Sequence, residues 1–182
     1  VALVVVEPVP ANMGVVAPEE GFLAGLRAAC DRVGALLIFD EVITGYRLAY
    51  GGAVEHFGVT PDLWCFGKVI GGGLPVGAIA GSASLMSHLA PLGPVYQAGT
   101  LSGNPLATAA GLAALAQLDR SSYTRLDERA QRLAGGLAEA IAAAGVTAQL
   151  PRVGPIVGLF FADEPVRNFD DARAACENGR YR

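Results

Sequence analysis

Lys68 has unusual surroundings for a lysine. It follows the apolar run Asp62-Leu63-Trp64-Cys65-Phe66 and Gly67, and it precedes Val69-Ile70-Gly71-Gly72-Gly73-Leu74-Pro75. Its amine therefore stands at the end of a strand, beside backbone that a ligand can approach closely. A lysine becomes a nucleophile when desolvation or a cationic neighbour lowers its pKa, and a Schiff base with an aldehyde is the commonest use. Position alone leaves a solvated loop lysine equally open. Asp40 ends a second apolar run, Ala35-Leu36-Leu37-Ile38-Phe39. A carboxylate at the end of a buried strand needs a partner, and a protonated ring nitrogen would be one. A helix or turn cap is the alternative reading of Asp40.

Phosphate-binding motifs fail at Lys68. A Walker A loop needs a glycine five residues before the Gly-Lys pair and Ser or Thr after it, but Asp62 and Val69 fill those places. The glycines follow the lysine rather than open a helix after a strand, so the dinucleotide fingerprint fails too. His56 and His88 stand apart with no ligand spacing, and no metal is expected. Arg47 suits a structural ion pair better than a carboxylate substrate, and Trp64 reads as packing. Glu41 reads as a carboxylate paired for structural reasons.

The elements that must position these groups alternate as in a mainly parallel sheet with helices on its faces, an α/β arrangement. Val1 to Val6 reads as a first strand. Pro18-Glu19-Glu20 reads as the start of a helix with acidic residues in its first turn, ended by Gly34. Strands ending at Asp40 and before Gly67 follow, and Val76 to Gly81 reads as a fourth. Ser82 or Ser84 suits the cap of a short helix reaching Leu89, and helices are expected over Gly103–Leu118 and Tyr123–Ala144. Gly145 ends the latter. Pro155 to Phe161 reads as a strand, and Asp170-Asp171-Ala172 opens a last helix. In open sheets of this kind ligands sit beyond the carboxyl ends of the strands, where both Asp40 and Lys68 fall.

Composition narrows the function class. Of 182 residues 52% are hydrophobic and 16% charged, enough apolar material for a sizeable core. The net charge is -4 with no run of Lys or Arg, so neither a nucleic acid nor an anionic membrane surface is an expected partner. A small molecule is. Cys30, Cys65 and Cys176 lack paired spacing and read as reduced thiols. No apolar stretch reaches the roughly 18 residues that a membrane span needs.

Four blocks occur in order: Glu7-Pro8-Val9; Phe39-Asp40-Glu41-Val42; Phe66-Gly67-Lys68 through Val76-Gly77; and Gly99-Thr100-Leu101-Ser102-Gly103-Asn104-Pro105-Leu106. Together they resemble the class III aminotransferases. The resemblance implies the fold-type I large domain of a pyridoxal-phosphate enzyme, with the start of a small α+β C-terminal domain. The expected division is a large domain over 1–122, a connecting helix over 123–145 and a partial small domain over 146–182.

It also implies that Lys68 carries pyridoxal 5'-phosphate as a Schiff base, that Asp40 bonds the ring nitrogen and that Val42 packs on the ring face. Thr100 would donate to the cofactor phosphate of the other subunit of a homodimer, and Asn12 would contact cofactor or substrate. Asn12-Met13-Gly14, Ile43-Thr44-Gly45-Tyr46-Arg47 and Pro94-Val95-Tyr96-Gln97-Ala98-Gly99-Thr100 resemble the aminomutase branch of the class. That branch isomerises glutamate-1-semialdehyde to 5-aminolevulinate in tetrapyrrole synthesis, with the pyridoxamine phosphate form in the cycle. The alternatives are a transaminase acting on a β-amino acid or ω-amine, and a non-catalytic homologue.

The family's phosphate-cradling loop and ring-stacking aromatic have no counterpart in the sequence, so half a site and no turnover by the isolated chain are expected. A cytoplasmic protein is expected, with a plastid origin left open. The stretch Cys176-Glu177-Asn178-Gly179 departs from the family's pattern.

Overall fold

The computed structural model describes residues 1–177 and Gly179; Asn178, in the departing stretch, lies outside the described residues. A sheet of order β1-β2-β3-β4 is built from Leu3–Val6, Leu36–Glu41, Leu63–Phe66 and Ala78–Gly81. The β1–β2 and β2–β3 pairs are parallel, and β4 joins β3 antiparallel. The expected α/β fold with its mainly parallel sheet is therefore present. The valines of β1 and the aromatic residues of β2 and β3 suit a pleated, half-buried surface, whereas β4 is small, Ala-Ile-Ala-Gly, and depends on its pairing with β3.

Helix α1, Phe22–Val33, ends as expected at Gly34, whose left-handed conformation lets its N–H reach back to Asp31 and Cys30. It does not begin at Pro18. Gly21 has φ 77°, outside helical space, so Glu19 and Glu20 precede the helix and its first turn carries no acid. Leu23 and Cys30 of α1 pack with Leu37, Phe39, Val4, Val6 and Trp64, and burying Leu37 or Phe39 contributes about 1.5–3 kcal/mol each. Asp62 stitches this layer together, accepting from the Arg27 guanidinium and the Leu37 N–H, both at 2.7 Å. Burial pushes the Asp62 carboxyl up, but these two donors outweigh it and hold the group below its ordinary range.

Short helix α2, Gly52–Phe57, covers the same sheet face, with Ala53 fully buried. The opposite face leaves Leu3, Val5 and Ile79 about half exposed. Helix α3, Ala83–Met86, has Ser82 as its N-cap, and α4, Pro105–Leu115, has Asn104. Helix α5, Arg120–Ala144, starts three residues before the expected Tyr123, because Asp119 and Ser122 form a capping box. The segment expected as one strand over Pro155–Phe161 is shorter. A two-residue β5, Arg152–Val153, pairs with β6, Ile156–Val157, across Gly154, and Phe160 makes an isolated bridge to Gln149. Helix α6, Phe169–Glu177, closes a second core of Val16, Phe160, Ala172 and Ala175. Among the described residues no helix is long and apolar enough to cross a membrane.

Candidate active site

The parallel register decides which side chains meet at the carboxyl ends of the strands. Asp40 lies opposite Cys65, and Val6 opposite Phe39, so one further step sets Glu7 beside Asp40. Neighbours in register share a sheet face, and side chains alternate along a strand. Glu7, Asp40 and Cys65 therefore form a row across β1, β2 and β3, on the face of Leu3, Val5 and Ile38. Asp40 lies within β2 rather than at its end, since Glu41 is the last strand residue.

Lys68 opens a single 3-10 turn, Lys68–Gly71, separated from β3 by Gly67 alone. Its backbone is at φ 48°; Tyr46 at 55° is the other non-glycine with positive φ among the described residues. An L-residue in this region is strained, and the surroundings must hold it there. Helix α4 does so by close packing. A Cβ at Gly111 would collide with the Ile70 carbonyl oxygen, and one at Gly72 with the Ala110 carbonyl. Two glycines thus let helix and turn touch backbone to backbone, fixing the turn from which the exposed Lys68 side chain projects.

Electrostatics place Lys68 and Asp40 about a common neighbour. Burial, then the Asp40 carboxylate, raise the Glu7 carboxyl above its ordinary range, while the Lys68 amine pulls it back. Burial, then Asp40, also push the Cys65 thiol up. Glu7 and Cys65 thus sense Asp40 from either side, as the row requires. Half-buried Asp40 accepts one hydrogen bond through Oδ1, from the Val42 N–H at 3.0 Å. An ionised carboxylate has about four acceptor positions, so Asp40 keeps capacity for another donor. Val42 borders this end of the sheet, its Cγ1 lying 3.2 Å from where a Gly67 Cβ would be.

The other expected site residues stand elsewhere. Thr100 is exposed in the turn leading to Asn104, and among the described residues it has no hydrogen-bond partner. Asn12 is exposed on a cavity of about 370 Å³ shared with Met13, Phe160, Phe169 and Cys176, lined by neither Asp40 nor Lys68. Arg47 forms no ion pair among the described residues, contrary to expectation; its N–H caps a turn at the Thr44 carbonyl. His56 packs edge-on to Phe57, and burial lowers its pKa against the pull of Asp127. No cluster of three or more His, Cys, Asp or Glu side chains able to hold a metal exists among the described residues.

Two carboxylates gain roles that the sequence reading gave only loosely. Glu7 belongs to the first sequence block, and counting in twos from Leu3 and Val5 puts it on the face of Asp40. Glu41 is 1% exposed and accepts through Oε2 from the Thr44 hydroxyl at 3.0 Å and the Ala53 N–H at 2.7 Å, which bears out its structural pairing. It lines a cavity of about 220 Å³ with Tyr46, Tyr50, Trp64 and Phe66 on the opposite face.

Comparisons with known proteins agree with this architecture. The family model described as aminotransferase class-III matches residues 1–181. A glutamate-1-semialdehyde 2,1-aminomutase 1 from Bacillus cereus (strain G9842) is 55% identical over 175 residues, 96% of this chain and 41% of that protein. An ω-transaminase from Sphaerobacter thermophilus superposes with TM-score 0.87 at 38% identity, covering 98% of this chain and 40% of its own. A Lys-to-Ala variant of a glutamate-1-semialdehyde-aminomutase from Pseudomonas aeruginosa PAO1, in complex with PMP, superposes with TM-score 0.82 at 30% identity over 96% and 41% of the two chains. The chain thus spans about two fifths of the length of the relatives it matches. Carrying a lysine on a strained turn just past one parallel strand and an incompletely satisfied carboxylate near the end of the next, and matched almost end to end, this chain belongs to the class III aminotransferase family.

Proposed function

We propose that this chain is part of a pyridoxal-phosphate-dependent aminomutase that converts glutamate-1-semialdehyde to 5-aminolevulinate, working as a cytoplasmic homodimer. The observation that carries the reading is that Asp40 near the carboxyl end of β2 and Lys68 just past that of β3, on adjacent parallel strands, both act on the Glu7 carboxyl. The donor set fits the cofactor. Lys68 offers an amine to an aldehyde carbon, Asp40 has acceptor capacity left for a ring N–H, and the absent Cβ of Gly67 leaves space beside Val42. When bound, the cofactor supplies an electron sink for breaking a bond at the amine-bearing carbon.

The chain's own residues supply position and proton transfer. Asp40 keeps the ring nitrogen protonated, and Val42 confines one ring face. The Lys68 amine, once released, takes a proton from one substrate carbon and returns it at the next stage, acting as base and then as acid. Thr100 of one subunit would serve the phosphate held by its partner, which fits its exposure and its lack of a hydrogen-bond partner among the described residues. Asn12 would approach the site only with further chain in place. The proposed division is a large domain over 1–122, a connecting helix over 123–145 and a partial small domain over 146–182, with Val153 and Ile156 packing into the first core and Val16 into the second, so that both cores draw on both ends of the chain.

The 55% identity to the Bacillus aminomutase supports this substrate. A second reading, a transaminase for an ω-amine or β-amino acid, is favoured by the fold comparison. The ω-transaminase is 38% identical and a β-phenylalanine aminotransferase from Variovorax paradoxus 37%, against 30% for the Pseudomonas aminomutase. We favour the aminomutase because the stronger identity spans 96% of the chain. Incubating a polypeptide of its relatives' length with glutamate-1-semialdehyde and no external amine separates the two. 5-Aminolevulinate is the expected product, and its absence would refute the assignment. The Lys68→Ala variant should lose the visible absorbance of lysine-linked cofactor; an unchanged band removes Lys68 from this role.

A further inference from the structure

The row of side chains across the strand ends contains one carboxyl group more than the proposed cofactor site uses. We propose, building on that reading, that Glu7 is a positioning residue for the site. Its carboxylate sets the field in which Asp40 meets the cofactor ring and Lys68 meets the cofactor aldehyde. Continued one step past Val6–Phe39, the register sets Glu7 next to Asp40 on the same sheet face, and Lys68 projects from the turn that follows the next strand. The groups that face Glu7 are Asp40 from β2 and Lys68 from the turn after β3, with Cys65 beyond Asp40 in the row.

Glu7 is half-buried, and it is coupled to Asp40 and Lys68 with opposite signs. Two neighbouring carboxylates raise the cost of a second negative charge, so a cation placed between them is held more firmly than either could hold it alone. The cations in reach are the protonated ring nitrogen at Asp40 and the protonated nitrogen of Lys68 when joined to the cofactor. Glu7 touches neither reacting carbon in this scheme. It acts by keeping both nitrogens protonated through the working pH range.

The test uses the cofactor-loaded protein at the length of its relatives, and it reads the pH midpoint at which the visible band of lysine-linked cofactor interconverts. Glu7→Gln removes the charge while keeping the shape, and should lower that midpoint by roughly half a unit to two units. Glu7→Asp retains the charge and should stay near wild type. A midpoint unchanged or raised in Glu7→Gln overturns the inference. Should Glu7→Gln fail to retain cofactor, Glu7→Asp decides. A band restored with the wild-type midpoint supports the charge role, and a band lost in both variants assigns Glu7 to packing and overturns it. Lys68→Ala run alongside keeps the two claims apart. A band that survives Lys68→Ala sinks the proposed function, whereas a band lost there with an unmoved Glu7→Gln midpoint sinks the Glu7 role alone.

Discussion

Asp40 and Glu41 are consecutive residues of one strand, yet the pleat sends them to opposite faces and opposite fates. Glu41 enters the covered face, where the Thr44 hydroxyl and the Ala53 N–H both donate to Oε2 and Gly52 leaves room for the carboxylate. Its acceptor capacity is spent on holding the segment after β2, through α2, against the sheet. Asp40 faces the thinly covered side and accepts from the Val42 N–H two residues on. A carboxylate satisfied by distant backbone is a structural staple; one satisfied only by its own turn remains available to a ligand. The same contrast separates the glycines. Gly52 makes space for Glu41, whereas Gly111 and Gly72 make space for the turn that bears Lys68.

Exchanging the two carboxylates' fates gives the largest effects. Asp40→Asn should leave the urea unfolding midpoint near wild type. It should lower the activity of the full-length holoenzyme by about a hundredfold or more, the scale on which losing one electrostatic partner of a reacting charge acts. Glu41→Ala should do the reverse, destabilising the fold by about 3 kcal/mol because it strands buried donors on Ala53 and Thr44. The contrast breaks if Asp40→Asn unfolds the protein as readily as Glu41→Ala does. Gly111→Ala comes next. An added methyl must push α4 away from the Ile70 carbonyl, tilting the Lys68 turn without touching the Asp40 row. The rate should fall roughly tenfold, short of the hundredfold that a full 1 Å misplacement can cost. An unchanged rate would show that Lys68 does not depend on this packing.

Much of this was legible in the sequence. The strands announced themselves as short apolar runs, Gly34 and Gly145 marked helix ends because each adopts left-handed geometry there, and counting put the lysine just past a strand and the aspartate within one residue of a strand end. The misses have physical causes. An acidic pair after a proline reads as a first helical turn, but the conformation of Gly21 holds the chain out of the helix until Phe22. Helix α2 has six residues and begins at a glycine, too short for any periodicity to show, and Glu41 anchors its first turn from the sheet face that the helix covers. Strands β5 and β6 are two residues each and depend on the turn at Gly154 rather than on propensity. Which of Asp40 and Glu41 faced the ligand could not be read from the Asp-Glu pair itself, since alternation fixes only that they differ.

The subtlest way to sharpen the contrast is through pH. Burial raises the Glu41 carboxyl above its ordinary 4.5, and its hydrogen bonds to Ala53 and Thr44 only partly offset this. A carboxyl with a raised pKa in the folded state binds its proton more tightly there than in the unfolded chain. Its contribution to stability is therefore complete below the unfolded value of about 4.5 and is lost as pH rises through the folded value. Glu41→Gln cannot titrate, so its stability relative to wild type should improve steadily as pH is raised from about 4.5 toward neutrality. Urea unfolding at a series of pH values measures that slope difference, which is small beside the loss in Glu41→Ala. The same variant should leave the spectral midpoint of the bound cofactor where it is, because Glu41 lies on the other side of the sheet from Lys68. A Glu41→Gln variant that shifts the cofactor's spectrum and shows no altered stability slope would mean that the two faces are coupled, and the separation of staple from site would fail.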